Sequence, residues 1–274
     1  VPPLKVYFQV GLVILLGLGG TAWLGARLFG ALRRKNKFAS LGFAFILTLW
    51  FGVALTLCSA LIPCFNLWVP SFCQGNPQKK WIALTFDDGP NEPYTSQILD
   101  ILDKKQVPAT FFTLGQNVSR FPEVIQRMNR EGFTVGNHTY DHRPLWKFSR
   151  EQILGEIEGW ENAMTPLGIP PVKLFRAPHG WKSPYLKSIL ASKGYRLIGW
   201  TRGVWDTDLP GEALLFERIT HAPTNGTILL LHDGVSGRPQ ADRSDLVAVL
   251  PKIIDYYRDQ GFRFVSLSEM LQDR

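Results

Sequence analysis

A chain of 274 residues with a formal charge of +7 has room for one large globular domain and an accessory segment, because single cores stop growing beyond roughly 250–300 residues. Residues 1–80 hold eight basic and no acidic residues, whereas residues 81–274 hold 22 basic and 23 acidic ones. The basic surplus thus lies outside the part that folds as a domain, which argues against a nucleic-acid partner.

The chain opens with two long apolar runs. Val6–Ala26 is 21 residues without a formal charge, and Phe38–Val69 is longer, while a membrane-crossing helix needs about 20 apolar residues. Between them Arg33, Arg34, Lys35 and Lys37 crowd a short loop. The positive-inside rule places this loop in the cytoplasm and both outer ends across the membrane. Residues 1–70 are therefore expected to form a membrane anchor of two transmembrane helices, with the lipid bilayer as partner and the following domain on the extracytoplasmic side. A cleaved leader fits less well, since the first run is long for one and leads into a second. A buried helical hairpin and an inverted topology are the other readings. Pro63 and Pro70 would end the second helix, and Trp68 suits an interface.

Cys58 lies within the second run and reads as a small buried hydrophobe. Cys64 and Cys73 fall on the outer side, where a disulfide is chemically permitted, but their spacing does not establish the geometry. Residues 71–80 (SFCQGNPQKK) are polar with Gly and Pro and read as a linker, leaving 81–274 as the globular domain.

From Trp81 brief apolar runs alternate with amphipathic ones. Strands are expected at Ile82–Phe86, Ala109–Leu114, Phe133–Gly136, Lys173–Arg176, Arg196–Trp200, Thr227–Leu231 and Phe262–Val265. Helices are expected at Tyr94–Lys105, Pro122–Arg130, Arg150–Met164, Pro184–Lys193, Gly211–His221 and Asp245–Asp259. Ser149 is a candidate N-cap, and Gly132, Gly194 and Gly261 follow helix ends. Strand and helix in repeated alternation mean an α/β fold with a parallel sheet, here a barrel short of the full eight-fold set. Such barrels place chemistry on loops after the carboxyl ends of strands.

Five clusters of reactive residues fall at those ends. Asp87-Asp88-Gly89-Pro90 follows the first strand, and the Gly-Pro pair stops the strand so that both carboxylates can reach one site. His138-Thr139-Tyr140-Asp141-His142 places imidazoles at i and i+4, which share a side if the residues between make one helical turn, and neutral imidazole suits zinc. Arg176-Ala177-Pro178-His179-Gly180 offers a carboxylate-binding guanidinium and a turn that can aim an N–H at a substrate oxygen. Trp205-Asp206-Thr207-Asp208 and His232-Asp233-Gly234 complete the set. Each alone could be an ordinary turn, surface pair or salt bridge. Five groups after five strands are not expected from scattered turn residues.

The order TFDDGP, HTYDH, RAPHG, WDTD, LLLHDG resembles the polysaccharide deacetylases with a NodB homology domain, carbohydrate esterase family 4, over about residues 80–270. The resemblance implies a distorted (β/α) barrel of seven or eight parallel strands. It implies Asp87 as general base, Asp88, His138 and His142 as ligands of a divalent metal, and His232 as general acid. Arg176 would position Asp87, and Asp206 would orient His232. The metal would be zinc, with cobalt and nickel accepting similar ligands. The implied substrate is an N-acetylated polysaccharide, peptidoglycan or a chitin-like polymer. A lipid-linked sugar deacetylase or deformylase and an inactive carbohydrate-binding protein are the other functions compatible with the fold; the latter should have lost Asp87 or a ligand, and none is lost. Two departures concern the groove: Leu209-Pro210 follows Asp208 where the family often has Trp, and His179 stands where Tyr is frequent.

Overall fold

The computed structural model describes residues 37–273 continuously, with eight helical positions scattered between residues 19 and 30. Most of the first apolar run, and the basic loop from Arg33 to Asn36, lie outside the described residues. Of the two expected spanning helices, one is described in full. Helix α1 (Lys37–Leu61) is about 37 Å long at 1.5 Å per residue, more than the roughly 30 Å of a hydrocarbon core. It exposes Phe38, Leu41, Phe45, Leu49 and Phe51, and among the described residues it is the one helix long and apolar enough to cross a membrane.

Eight strands follow: β1 (Trp81–Asp87), β2 (Ala109–Thr113), β3 (Thr134–Asn137), β4 (Leu174–Phe175), β5 (Arg196–Leu197), β6 (Arg202–Gly203), β7 (Thr227–His232) and β8 (Arg263–Phe264). All their ladders are parallel. The path runs β5-β4-β3-β2-β1-β7-β6, with β8 beside the start of β1, so the sheet is a curled half-barrel with β5 and β6 at its ends. Helices α2 (Tyr94–Lys104), α3 (Gly115–Arg120), α4 (Pro122–Arg130), α5 (Arg150–Met164), α6 (Leu186–Lys193), α7 (Glu212–Thr220), α8 (Ser244–Asp259) and α9 (Leu267–Gln272) accompany it.

The period of two along a strand sorts the core. Ile82, Leu84 and Phe86 of β1 pack with Ile98, Leu99 and Leu102 of α2 and with α8, forming the layer between sheet and helices. Ala83 points the other way, into the barrel, with Phe112, Leu174, Ile198 and Ile228. Asp87 has the parity of Ala83, so alternation alone turns its carboxylate inward at the carboxyl end of the strand.

Ser149 caps α5 in a reciprocal box with Gln152. The expected strand Arg196–Trp200 is shorter because the chain from Ile198 turns to meet residues 72–74: Phe72 N–H donates to Leu197 O at 2.9 Å, and Gly199 N–H to Phe72 O at 2.9 Å. Residues 71–80, expected as a linker, accordingly lie along the sheet, with Phe72 buried in the interior cluster. Cys64 and Cys73, left open by the sequence, form a disulfide with Cα atoms 6.0 Å apart. Strand β6 and helices α3 and α9 were not expected, each being too short to show a period.

Trp160 of α5 is fully buried, and its indole N–H donates to Thr113 Oγ1 at 3.0 Å. Trp160→Ala leaves a cavity and an unpaired hydroxyl, and should lower the unfolding free energy by about 3–5 kcal/mol in a urea titration of the full chain; a loss below about 1 kcal/mol would contradict this packing.

Candidate active site

The carboxyl end of β1 delivers two carboxylates by different means. Asp87 continues the strand inward. Asp88 takes a left-handed conformation, φ 74°, and turns toward the same space. Gly89 is required there by room, since a Cβ would collide with the buried Asp233 carboxylate.

Arg176 leaves the end of β4 and crosses the barrel. Its Nη1 donates to Asp87 Oδ1 at 2.7 Å and Thr85 Oγ1 at 2.8 Å, and its Nη2 to Gly199 O at 3.0 Å. The guanidinium is wholly buried and lies 4.2 Å from the centre of the Phe112 ring. Nη1 at Thr85 and Nη2 at Gly199 fix the guanidinium plane, and Nη1 engages one oxygen of Asp87.

His138 follows β3. Its Nδ1 stands 2.8 Å from Arg176 O, and a carbonyl only accepts, so Nδ1 carries the proton and Nε2 offers a lone pair. That Nε2 is 3.6 Å from both Asp87 Oδ2 and Asp88 Oδ1, and His142 Nε2 is 3.4 Å from Asp88 Oδ1. The i, i+4 imidazoles do converge, but no helical turn brings them together. Left-handed Thr139 and His142 do so in a loop tied by Asn137 Oδ1 to Thr139 N–H and by Thr139 Oγ1 to His142 N–H. Glu156 of α5 accepts the next two N–H groups, those of Tyr140 and Asp141.

These three side chains suit a divalent ion. Two ligands of a tetrahedral ion bonded at roughly 2.0–2.1 Å stand about 3.3 Å apart, close to the Asp88–imidazole distances. One donor atom from each of Asp88, His138 and His142 lies within 4.8 Å of the others, and Asp88 Oδ1 is buried without a hydrogen-bond partner. Their charge states suit too. Burial alone would raise the Asp88 carboxyl, but His142 and His138 outweigh it and hold it at about 2. Burial, helped by the neighbouring His138, lowers His142 to about 4 against the pull of Asp88. At neutral pH the pair is a carboxylate and a neutral imidazole, the forms that bind metal.

His232 ends β7, in register opposite Asp87. Asp206 Oδ2 accepts the His232 backbone N–H at 2.8 Å, and Oδ1 lies 2.9 Å from Nδ1. Burial works against the imidazolium, yet Asp206 overturns it and lifts His232 to about 9. Asp206 is itself fully buried and held below the usual carboxylate range, against burial, by His232 and Arg243. Arg243 escaped the sequence reading: Nη2 donates to Asp206 O at 2.6 Å and Nη1 lies 3.7 Å from Oδ2. One arginine in a loop carries no signal of its own. Asp233 stood within a singled-out cluster, but its burial and its bond from Thr95 Oγ1 at 2.7 Å depend on tertiary packing. His179 is left-handed, and its ring stands 4.6 Å from those of both His142 and Trp181, forming a wall beside the imidazole pair.

The family model described as polysaccharide deacetylase matches residues 74–198. A peptidoglycan-N-acetylglucosamine deacetylase of Bacillus cereus is 35% identical over 199 residues, 71% of this chain and 89% of that protein. A chitooligosaccharide deacetylase of Sinorhizobium fredii is 32% identical, covering 73% and 95%. Among solved structures, a peptidoglycan N-acetylglucosamine deacetylase in complex with 4-naphthalen-1-yl-N-oxidanyl-benzamide superimposes with a TM-score of 0.70 at 29% identity, covering 74% of this chain and 94% of that one.

The Asp206–His232 pair generates a titration test. Asp206→Asn removes the largest attraction for the imidazolium and leaves burial, which favours neutral imidazole, opposed by the smaller pulls of Asp88 and Asp87. In chelator-treated protein, the His232 midpoint followed by NMR should fall from about 9 toward the ordinary imidazole value, roughly 6.5; a midpoint still near 9 would exclude Asp206 as the cause.

Proposed function

The chain belongs to the polysaccharide deacetylase family, and from that premise we propose that it hydrolyses the N-acetyl group of amino sugars in a cell-wall glycan, N-acetylglucosamine units of peptidoglycan foremost, using a divalent metal held by Asp88, His138 and His142. The observation that carries the reading is the pairing, in register on adjacent strands, of a carboxylate held by Arg176 and an imidazolium held by Asp206, beside a three-ligand cluster. When bound, the ion, zinc by preference with cobalt or nickel as alternatives, supplies Lewis-acid polarisation of the acetyl carbonyl and acidification of water.

The chain's own groups do the rest. Asp87 is the general base and takes a proton from the attacking water, with Arg176 keeping one of its oxygens engaged so that the other faces the site. His232 is the general acid. Its Nδ1 is occupied by Asp206, so Nε2 presents the proton that the departing amine needs when the amide C–N bond breaks. The products are acetate and a sugar with a free amine. His179 and Trp181 form part of the sugar-binding wall. An inactive binding protein on this fold would need neither the base nor the ligands, and both are present.

The anchor reading extends this proposal. Helix α1 would cross the bilayer as the second of two spans, with the catalytic domain on the extracytoplasmic side, where the Cys64–Cys73 disulfide is chemically at home.

Acetate release from peptidoglycan and chitin oligomers by the full chain in detergent tests the assignment. Asp87→Asn should lower kcat by about 10²–10⁴-fold while zinc stoichiometry stays at wild type; undiminished turnover would remove Asp87 as base. Chelation should abolish acetate release and zinc should restore it, and a chelator-resistant activity would refute the metal role.

A further inference from the structure

We propose that the segment from Ala60 to Gln74, closed by the Cys64–Cys73 disulfide, is a positioning element of the catalytic centre: it fixes the Gly199 carbonyl that holds Arg176, and through Arg176 it aims Asp87. The proposal rests on the base role assigned to Asp87 above.

Arg176 has two anchors. One end of its fork meets Asp87 and Thr85, and the other meets only the Gly199 carbonyl, while Nε has no partner. The position of that carbonyl therefore sets the tilt of the guanidinium plane, and with it the direction of the Asp87 carboxylate. Yet Gly199 lies in no strand. β5 stops at Leu197 and β6 begins at Arg202, and these are the two open ends of the curled sheet. The link is tied to β4 by Ile198 N–H to Phe175 O at 2.8 Å and to β7 by Thr201 N–H to Ile228 O at 3.0 Å, and between those two points Gly199 is held by the segment before the domain. Gly199 N–H donates to Phe72 O at 2.9 Å, Thr201 Oγ1 donates to Cys73 O at 2.6 Å, and Cys64 Sγ lies 3.3 Å from Trp200 O. The disulfide packs directly on Gly199: a Cβ there would meet Cys73 Sγ at 2.5 Å and Cys64 Sγ at 3.2 Å.

The segment is gripped equally firmly at its other end, by the loop that carries His179. Lys182 is buried, and its ammonium donates to Phe65 O at 2.8 Å and Pro63 O at 3.1 Å, while its backbone N–H donates to Ala60 O at 2.7 Å. Pro63 also occupies the space where a side chain on Gly180 would go. The disulfide thus closes a short loop wedged between two strand-end loops of the site, with one sulfur against the glycine whose carbonyl orients the guanidinium. A remote crosslink would add stability and nothing else; this one bears on the reacting carboxylate through a single arginine.

The test is Cys64→Ser/Cys73→Ser in the full chain, alone and combined with Arg176→Gln, with kcat and KM measured separately on an N-acetylglucosamine oligomer beside zinc affinity and Tm. The expected result is a kcat at least tenfold lower in the serine pair, with KM and zinc affinity within twofold of wild type, and no further loss when the pair is added to Arg176→Gln, because the two changes remove one and the same constraint. An unchanged kcat in the serine pair, or the same fold-loss in both backgrounds, would overturn the proposal and leave the bridge a stabilising crosslink. Should the serine pair fail to fold, reduction of the folded wild type by a phosphine with zinc in excess carries the same expectation, and kcat must return on reoxidation. Wild-type turnover in Asp87→Asn would sink the base assignment instead, so the two failures are distinguishable.

Discussion

The ion pair between Arg176 and Asp87 is buried at both ends, and the rest of the site is arranged around that constraint. Two charges taken from water are tolerable only if each keeps a partner, and removing either one strands the other at a cost of several kcal/mol. The chain meets this requirement with four groups from three separated segments: Asp87 and Thr85 from one face of β1, Arg176 from the end of β4 across the barrel, and the Gly199 carbonyl from the link between β5 and β6. The carboxylate cannot be delivered without the inward parity of β1. Nor can the guanidinium be satisfied without the curl of the sheet that brings β4 opposite β1.

Around this pair, environment drives neighbouring groups to opposite protonation states, the usual route to acid and base chemistry at one pH. Asp88 sits at about 2 and His142 at about 4, so these two ligands are ready in their metal-binding forms. His232 sits at about 9, because Asp206, itself kept ionised with the help of Arg243, more than offsets burial. Burial neutralises one imidazole, and a carboxylate attached to the other keeps that one charged in spite of burial.

Much of this was legible in the sequence because it depends on local pattern. The apolar run Ile82–Phe86 was legible as a strand, and each reactive cluster stood where a strand ends. The order of the five motifs carried the family. What stayed hidden depends on contacts distant in sequence. The loop of His138 and His142 uses left-handed residues rather than a helical turn, and Thr139 gives no warning of it. β6 is two residues defined by its neighbour β7. Arg243 is 37 residues from Asp206, and Asp233 is buried by Thr95 and Gly89. The spacing of Cys64 and Cys73 says nothing of how close their Cα atoms come. Residues 71–80 have the composition of a tether, and it is contacts distant in sequence, among them the isolated bridges of Phe72 to Ile198 and Gln74 to Thr227, that give them another place.

The grip of Lys182 on the carbonyls of Ala60, Pro63 and Phe65 leaves no slack chain between α1 and the domain. An enzyme on a leash patrols a radius set by its leash; this one has none. Were α1 to cross a bilayer as proposed, the cleft would stay at a fixed, short distance from the lipid. On that reading the glycan must come to the cleft, and free amines would mark whatever stretch of it passes within that distance.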